Sequence, residues 1–112
     1  MRSVDDFIVR LTGDRFIEMA SASQGRLAWF PAWEHADRDL RHFIAADVPF
    51  GTPDAPYVDE DEGWSLRIFE ENGWVYVNEN GSTFRVPRER YFRAWAALID
   101  QFNPIVPLDD TE

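Results

Sequence analysis

Two Asn-Gly pairs, at residues 72–73 and 80–81, constrain the fold of this 112-residue chain more than any other feature of its sequence. Asn-Gly flanked by alternating apolar residues is the strongest short-range signal of a tight β-hairpin turn. The stretches around the two pairs, between residues 64 and 86, are rich in aromatic and β-branched side chains. The sequence therefore predicts an antiparallel three-stranded meander over about residues 64–86.

A helix is predicted directly after the meander. Pro87 suits the first turn of a helix, because the amide proton that proline lacks would have no partner there. Apolar side chains then recur at the spacing of one broad helix face: Tyr91, Trp95, Leu98, Ile99 and Phe102. The sequence predicts a C-terminal helix over residues 88–102 that packs on the meander.

The start of the chain fits two local structures. Ser3 and Asp6 resemble an N-terminal capping box, and apolar residues follow at helical spacing, which favours an N-terminal helix. The rival interpretation is a hairpin that pairs residues 7–12 with residues 15–20 around a Gly-Asp turn. We favour the helix over the hairpin.

Four further segments complete the predicted organisation. Residues 15–21 and 26–30 are predicted to form a short hairpin, and residues 34–46 a second helix with an apolar stripe and opposite charges four residues apart. Residues 48–63 contain three prolines and two glycines and are predicted to be a long acidic loop. Residues 104–112 are predicted to be a flexible tail. The expectation is therefore a single α+β domain over residues 1–112.

Several classes of function lack the residues that they need. The chain has no cysteine, which excludes disulfides and Cys-ligated metals. His35 and His42 are seven residues apart, whereas two metal ligands on one helix are usually one turn apart. No serine lies in a nucleophile-elbow pattern, and the scattered glycines form no phosphate-binding loop. We therefore expect no enzyme activity, no metal and no cofactor.

The chain also lacks the signals of a membrane or exported protein. No apolar run approaches the roughly 18 residues that a membrane span requires. The N-terminus becomes acidic where a signal peptide would be apolar. We expect a cytoplasmic protein with no membrane partner.

The negative charge is concentrated in one quarter of the chain. The formal net charge is −10, and residues 51–80 hold eight acidic residues against one base, Arg67. Such a balance argues against nucleic acid as a partner, since binding to phosphate backbones depends on Lys and Arg. The same charge would attract and steer a basic protein.

The candidate partner-binding residues are carboxylates with aromatic side chains close to them in the sequence. Interface hot spots favour Trp and Tyr, which makes the neighbouring aromatic residues candidate apolar anchors. Trp33 is added because it opens a charged helix and is expected to be partly exposed. The predicted set is Asp54, Tyr57, Asp59, Glu60, Asp61, Glu62, Trp64 and Trp33.

An alternative site uses the arginines that follow the meander. Arg85, Arg88 and Arg93 could bind an anion near the start of the C-terminal helix, as a small-ligand or regulatory domain would. The competing interpretation is that these arginines pair internally with the acidic strands and loop. Both possibilities stay open at the level of the sequence.

In size, acidity and aromatic content the chain resembles bacterial immunity proteins, which neutralise a toxin domain. The resemblance is one of profile and has no motif that can be matched residue by residue. It implies a non-catalytic protein-binding module that docks a basic partner protein, such as a toxin domain. The carboxylates from Asp54 to Glu62 would then steer the partner, with Tyr57 and Trp64 as anchors.

Overall fold

The computed structural model describes residues 1–11, 16–31 and 48–102, and these residues form eight strands and one helix. The strands are arranged in a five-stranded and a three-stranded sheet. In chain order the elements are β1 (Arg2–Ser3), β2 (Phe7–Leu11), β3 (Phe16–Ser21), β4 (Gly25–Pro31), β5 (Tyr57–Asp61), β6 (Trp64–Glu71), β7 (Trp74–Glu79), β8 (Ser82–Pro87) and α1 (Arg88–Phe102).

The five-stranded sheet has the strand order β1-β8-β7-β6-β5. Strands β5 to β8 are antiparallel to one another, and the short β1 pairs in parallel with β8. Both predicted Asn-Gly turns are present. Asn72 and Gly73 have φ angles of 55° and 85°, and Asn80 and Gly81 have 51° and 88°, the left-handed conformations that this type of hairpin turn requires. The predicted meander is confirmed.

The three-stranded sheet is antiparallel, in the order β2-β3-β4. Strands β3 and β4 correspond to the predicted short hairpin. The predicted N-terminal helix is wrong, because β2 pairs with β3 over its whole length, from Phe7 opposite Ser21 to Leu11 opposite Ile17. Phe7 and Val9 are buried, so burial in this segment follows the two-residue period of a strand.

Helix α1 has the bounds predicted for the C-terminal helix and contacts β2, β7 and β8. Its Tyr91, Trp95 and Leu98 are buried, together with apolar side chains of both sheets. The ring of Phe7 stacks on that of Tyr91 with their centroids 5.5 Å apart. One core therefore joins the helix to both sheets.

The predicted α+β class, with an N-terminal and a second helix, is wrong: the described residues are mostly β structure with one C-terminal helix. The predicted loop over residues 48–63 is also interrupted, because residues 57–61 form β5. The predicted second helix over residues 34–46 and the predicted tail over residues 104–112 lie outside the described residues. Helix α1 is too short and too polar to cross a membrane, and the described part of the chain contains no helix that could do so.

Candidate functional site

Most of the predicted acidic residues lie on or beside β5, which is an outermost strand of the five-stranded sheet. Pairing with β6 places Val58 opposite Arg67 and Glu60 opposite Ser65. Tyr57 and Asp59 lie opposite Ile68 and Leu66, whose side chains are buried in the core. The strand thus has Val58 and Glu60 on the side of the sheet away from the core, and Tyr57 and Asp59 on the side towards it.

The segment that leads into β5 is held at several points. The carbonyl of Gly51 accepts a hydrogen bond of 2.9 Å from the amide of Glu70 on β6. Thr52 and Ala55 close a turn through reciprocal backbone hydrogen bonds of 3.1 and 3.2 Å. Phe50 packs edge-on against Phe92 of α1 with their ring centroids 4.7 Å apart. The acidic strand is therefore fixed both to the sheet and to the helix.

A buried hydroxyl group provides a further attachment for this segment. The hydroxyl of Tyr91 on α1 donates a hydrogen bond to the carbonyl of Pro49. Tyr91 is fully buried, and its burial raises the pKa of the phenol far above the ordinary value. The phenol therefore stays protonated, and it acts here as a hydrogen-bond donor that anchors the segment.

The predicted aromatic anchors beside the acids are less available than expected. Tyr57 and Trp64 are half-buried and pack against the core. The indole nitrogen of Trp64 donates a hydrogen bond of 2.9 Å to Glu79. These two side chains help to build the sheet, which reduces the surface that they offer to a partner. Trp33 lies outside the described residues.

The predicted carboxylates occupy different positions around β5. Asp54 is exposed in the turn that precedes the strand, Glu60 is exposed on the strand, and Glu62 is exposed in the β5–β6 turn. Asp59 is half-buried. Asp61 is placed by its backbone, opposite Trp64 at the end of β5. The structure thus places these acidic residues along one edge of the five-stranded sheet.

We define the outer face as the side of the five-stranded sheet that points away from the core. Alternation along the strands assigns to it Val58, Glu60, Ser65, Arg67, Phe69, Glu71, Trp74, Tyr76, Asn78, Thr83 and Arg85. All of these side chains are half-buried or exposed, and Val58 is 45% exposed. Among the described residues, no side chain of the outer face is fully buried.

Aromatic side chains occupy the middle of the outer face. Phe69 and Tyr76 lie opposite each other on β6 and β7, with their rings stacked 5.2 Å apart at an interplanar angle of 15°. Trp74 lies two residues from Tyr76 on β7, and the guanidinium of Arg85 lies 3.9 Å above its ring. The side chain of Trp74 is half-buried on the outer face and lies outside the core.

The outer face could have been found in the sequence. A two-residue turn at Asn72-Gly73 sets Phe69 opposite Tyr76 and Glu71 opposite Trp74. Placing the small apolar side chains of Val75 and Val77 in the core then places the larger aromatic side chains outside. Because large aromatic side chains dominate the cores of most proteins, their presence on the outer face is easily overlooked in the sequence.

The outer face has no net formal charge of its own, since Arg67 and Arg85 offset Glu60 and Glu71. Within the described residues, Glu60 and Glu71 make no ion pair with Arg85 or Arg88. The excess of negative charge therefore lies to one side of the aromatic centre, on and beside the edge strand β5.

The three arginines of the alternative anion site point to different surroundings. Arg85 lies over the ring of Trp74 on the outer face, and its Nε donates a hydrogen bond of 2.9 Å to the hydroxyl of Ser3. The guanidinium of Arg88 lies 4.9 Å above the ring of Phe92. Arg93 is exposed on the solvent side of α1. The structure does not bring these three residues together around one ligand position.

The carboxyl group of Asp6 accepts hydrogen bonds from two serines of the β3–β4 hairpin. Hydrogen bonds from Ser23 and Ser21 lower the pKa of Asp6 to about 2. The hydroxyl of Ser23 donates to one carboxylate oxygen at 2.6 Å, and that of Ser21 to the other at 2.7 Å. The cluster holds the β3–β4 turn against the segment before β2.

The described residues contain no group of three or more His, Asp or Glu side chains arranged to hold a metal ion. The geometry therefore directs attention to the outer face and its acidic edge. No family model matches this chain, and no curated protein and no solved structure matches it.

Proposed function

We propose that this chain is a non-catalytic protein-binding module, similar in role to an immunity protein, that docks a basic partner protein. The contact surface is the aromatic centre of the outer face, and the carboxylates on and beside β5 attract the partner. The observation that carries the proposal is the set of three partly exposed aromatic rings, Phe69, Trp74 and Tyr76, on a sheet face that points away from the core.

The aromatic centre has the character of an interface anchor. Large aromatic rings supply much of the binding energy in protein interfaces and tend to cluster near the middle of the contact. Here the rings already hold fixed positions, since Phe69 stacks on Tyr76 and Trp74 is covered on one side by Arg85. Rings that are ordered before binding lose little conformational entropy when a partner covers them.

The charge distribution supports a basic partner. Residues 51–80 hold eight acids against one base, and Asp54, Glu60 and Glu62 are exposed around the strand that borders the aromatic centre. A neutral, aromatic centre with a charged rim is the usual arrangement of a protein interface. The rim would speed the approach of a cationic surface, while the centre would set the lifetime of the complex.

The test is site-specific photocrosslinking in cells that express the protein. Tyr76, at the middle of the outer face, is replaced by p-benzoylphenylalanine, and in a matched control the same group replaces Ala96, which is exposed on α1. We expect irradiation to give a discrete adduct from position 76 and not from position 96, and the adduct to contain a protein with a basic isoelectric point.

Three results would contradict the proposal. They are equal crosslinking from the two positions, an adduct with an acidic protein or with a second copy of this chain, and no adduct from position 76 in the native host. Circular dichroism of both variants confirms that each is folded before the comparison is made.

A further inference from the structure

A cleft of about 300 Å³ lies where the β1–β8 side of the five-stranded sheet meets the start of β4. It is lined by Arg2, Arg26, Leu27, Ser82, Thr83 and Phe84. Its volume is at the lower end of the range for small-ligand sites, about 300 to 1,000 Å³. The cleft therefore has room for a small ligand with a charged group and a ring.

The fold assembles this cleft from residues that are distant in the sequence. Arg2 on β1 pairs with Phe84 on β8, and Ser82 lies two residues before Phe84 on the same side of that strand. Arg26 comes from the other sheet, at the start of β4. Two arginines and two hydroxyl-bearing residues, Ser82 and Thr83, thus line a single cleft, a combination that no sequence pattern indicates.

The cleft is locally positive in a strongly negative molecule. Arg10 and Arg26 share one carboxylate, that of Glu18, and the contact with Arg26 is 3.9 Å long. Arg2 is exposed and makes no ion pair with any described residue. Of the two arginines that line the cleft, Arg26 therefore shares its carboxylate with Arg10 and Arg2 has none among the described residues, although acidic residues outnumber basic ones 21 to 11 in the whole chain.

Glu79 on β7, the acidic residue that strand pairing places opposite Ser82, makes no ion pair with the arginines that line the cleft. Its carboxylate accepts the hydrogen bond from the indole of Trp64, which lies on β6, on the far side of β7 from β8. The hydroxyl of Ser82 makes no hydrogen bond with another described side chain and can donate to a ligand.

We propose that this cleft binds a small phosphate-bearing molecule. The guanidinium groups of Arg2 and Arg26 would hold the phosphate, since their planar donor geometry matches a tetrahedral oxyanion. The Ser82 hydroxyl supplies a third donor, and the half-buried side chain of Leu27 provides an apolar surface for a ring on the same ligand. The aromatic centre and the carboxylates of the proposed protein-binding surface include none of the residues that line the cleft, and only Thr83 belongs to both the cleft and the outer face, so each proposal can fail without the other.

The test is a titration of the ¹⁵N-labelled protein with phenyl phosphate, followed by amide chemical shifts. We expect saturable shifts centred on Arg2, Arg26 and Ser82. Inorganic phosphate should shift the same amides at higher concentration, and phenol, which lacks the anion, should not. If one site binds the phosphate group, the affinity must fall from phenyl phosphate to inorganic phosphate to phenol.

Charge-matched variants make the test specific. Arg2→Gln and Arg26→Gln should each weaken the binding of phenyl phosphate by about tenfold, the loss expected for one charge-assisted contact. Arg90→Gln, which changes an exposed arginine on α1, removes the same charge elsewhere and should leave the affinity within about twofold. The spectra of all three variants report directly whether each remains folded.

The proposal is overturned by any of three results. These are no saturable shift with phenyl phosphate at millimolar concentration, shifts centred outside the cleft, and an equal loss of affinity in Arg90→Gln. Equal loss would mean that the anion responds to the total charge of the protein and does not occupy a site.

Discussion

Asp6 links the segment before β2 to the turn between β3 and β4. Its two carboxylate oxygens accept hydrogen bonds from Ser21 and Ser23, including the backbone amide of Ser23 at 3.0 Å. A further hydrogen bond lies within the turn, where the amide of Gln24 donates to the Ser21 hydroxyl at 3.1 Å. One side chain thus fixes the relative position of two connections 15 or more residues apart.

The Asp6 cluster predicts a defined pH dependence of stability. The pKa of Asp6 is lowered from 3.8 to about 2, so folding favours the ionised carboxylate. The resulting stabilisation is fully present above about pH 4 and is lost as the pH falls through about 2. We expect Asp6→Asn to lower the stability at pH 7, with a difference from the wild type that narrows between pH 4 and pH 2.

The measurement is the urea midpoint of both proteins at pH 7, 4, 3 and 2. Asp54→Asn serves as the control, because Asp54 is exposed in the turn before β5 and makes no hydrogen bond through its side chain with another described residue. A difference between wild type and Asp6→Asn that stays constant down to pH 2 would show that the charge of Asp6 has no part in the cluster.

At the scale of elements, β5 depends on the close approach of the chain at Gly51. A Cβ atom at this position would lie 2.6 Å from the carbonyl oxygen of Ala55 and 2.6 Å from the amide nitrogen of Tyr57. Both are backbone atoms, which cannot move without disturbing the turn or the first residue of β5. The absence of a side chain at residue 51 therefore permits the turn that delivers the acidic strand to the sheet.

We expect Gly51→Ala to destabilise the protein by about 1–3 kcal/mol, the usual cost of overpacking. Hydrogen exchange should show a loss of protection concentrated in the amides of β5 and in Glu70, which donates to Gly51. Gly25→Ala is the control: its Cβ would meet nothing within 4 Å, but its φ of +92° also strains an alanine. Equal loss of protection at β5 in both variants would contradict the assigned role of Gly51.

The elements differ in how far the sequence could predict them, and the difference is physical. The meander and α1 have local signals, since Asn72-Gly73 sets a turn and the spacing of Tyr91 and Trp95 sets a helix face. Strand β2 has two competing local signals, because a Gly-Asp turn favours the rival hairpin whereas Phe7, Ile8 and Leu11 fall at the spacing of one helix face. Its pairing with the next strand, β3, decides between them in favour of the hairpin interpretation.

Strand β5 and the outer face escaped the sequence for different reasons. Three of the five residues of β5 are acidic, a composition that disfavours strands, and pairing with β6 overrides it. Alternation and the register of the turn place Phe69, Trp74 and Tyr76 on the outer face, although side chains of this size are usually well buried. The acidic part of the candidate site was thus predictable from composition, whereas its aromatic part required the register to be known.

At the scale of the whole molecule, the two edge strands of the five-stranded sheet differ in their residues and in what they pair with. One edge is β1, which joins the start of the chain to β8 through the parallel pair of Ser3 with Arg85. The other edge is β5, with its carboxylates. Four strand spacings separate the edges, roughly 19 Å at about 4.8 Å each. That distance exceeds the Debye length of about 8 Å at physiological ionic strength, so the two edges act on an approaching partner separately.

This separation predicts that charge reversal acts by position and not by total charge. Glu60→Arg on β5 and Asp5→Arg beside β1 each change the net charge from −10 by the same amount. With the basic partner captured by the crosslink, we expect Glu60→Arg to slow association by about threefold to tenfold at low salt and to reduce its dependence on ionic strength. Asp5→Arg should change the association rate by less than about twofold. Stopped-flow measurements from 20 to about 300 mM salt distinguish the two variants, and equal slowing would mean that the partner senses the net charge of the molecule without approaching the β5 edge.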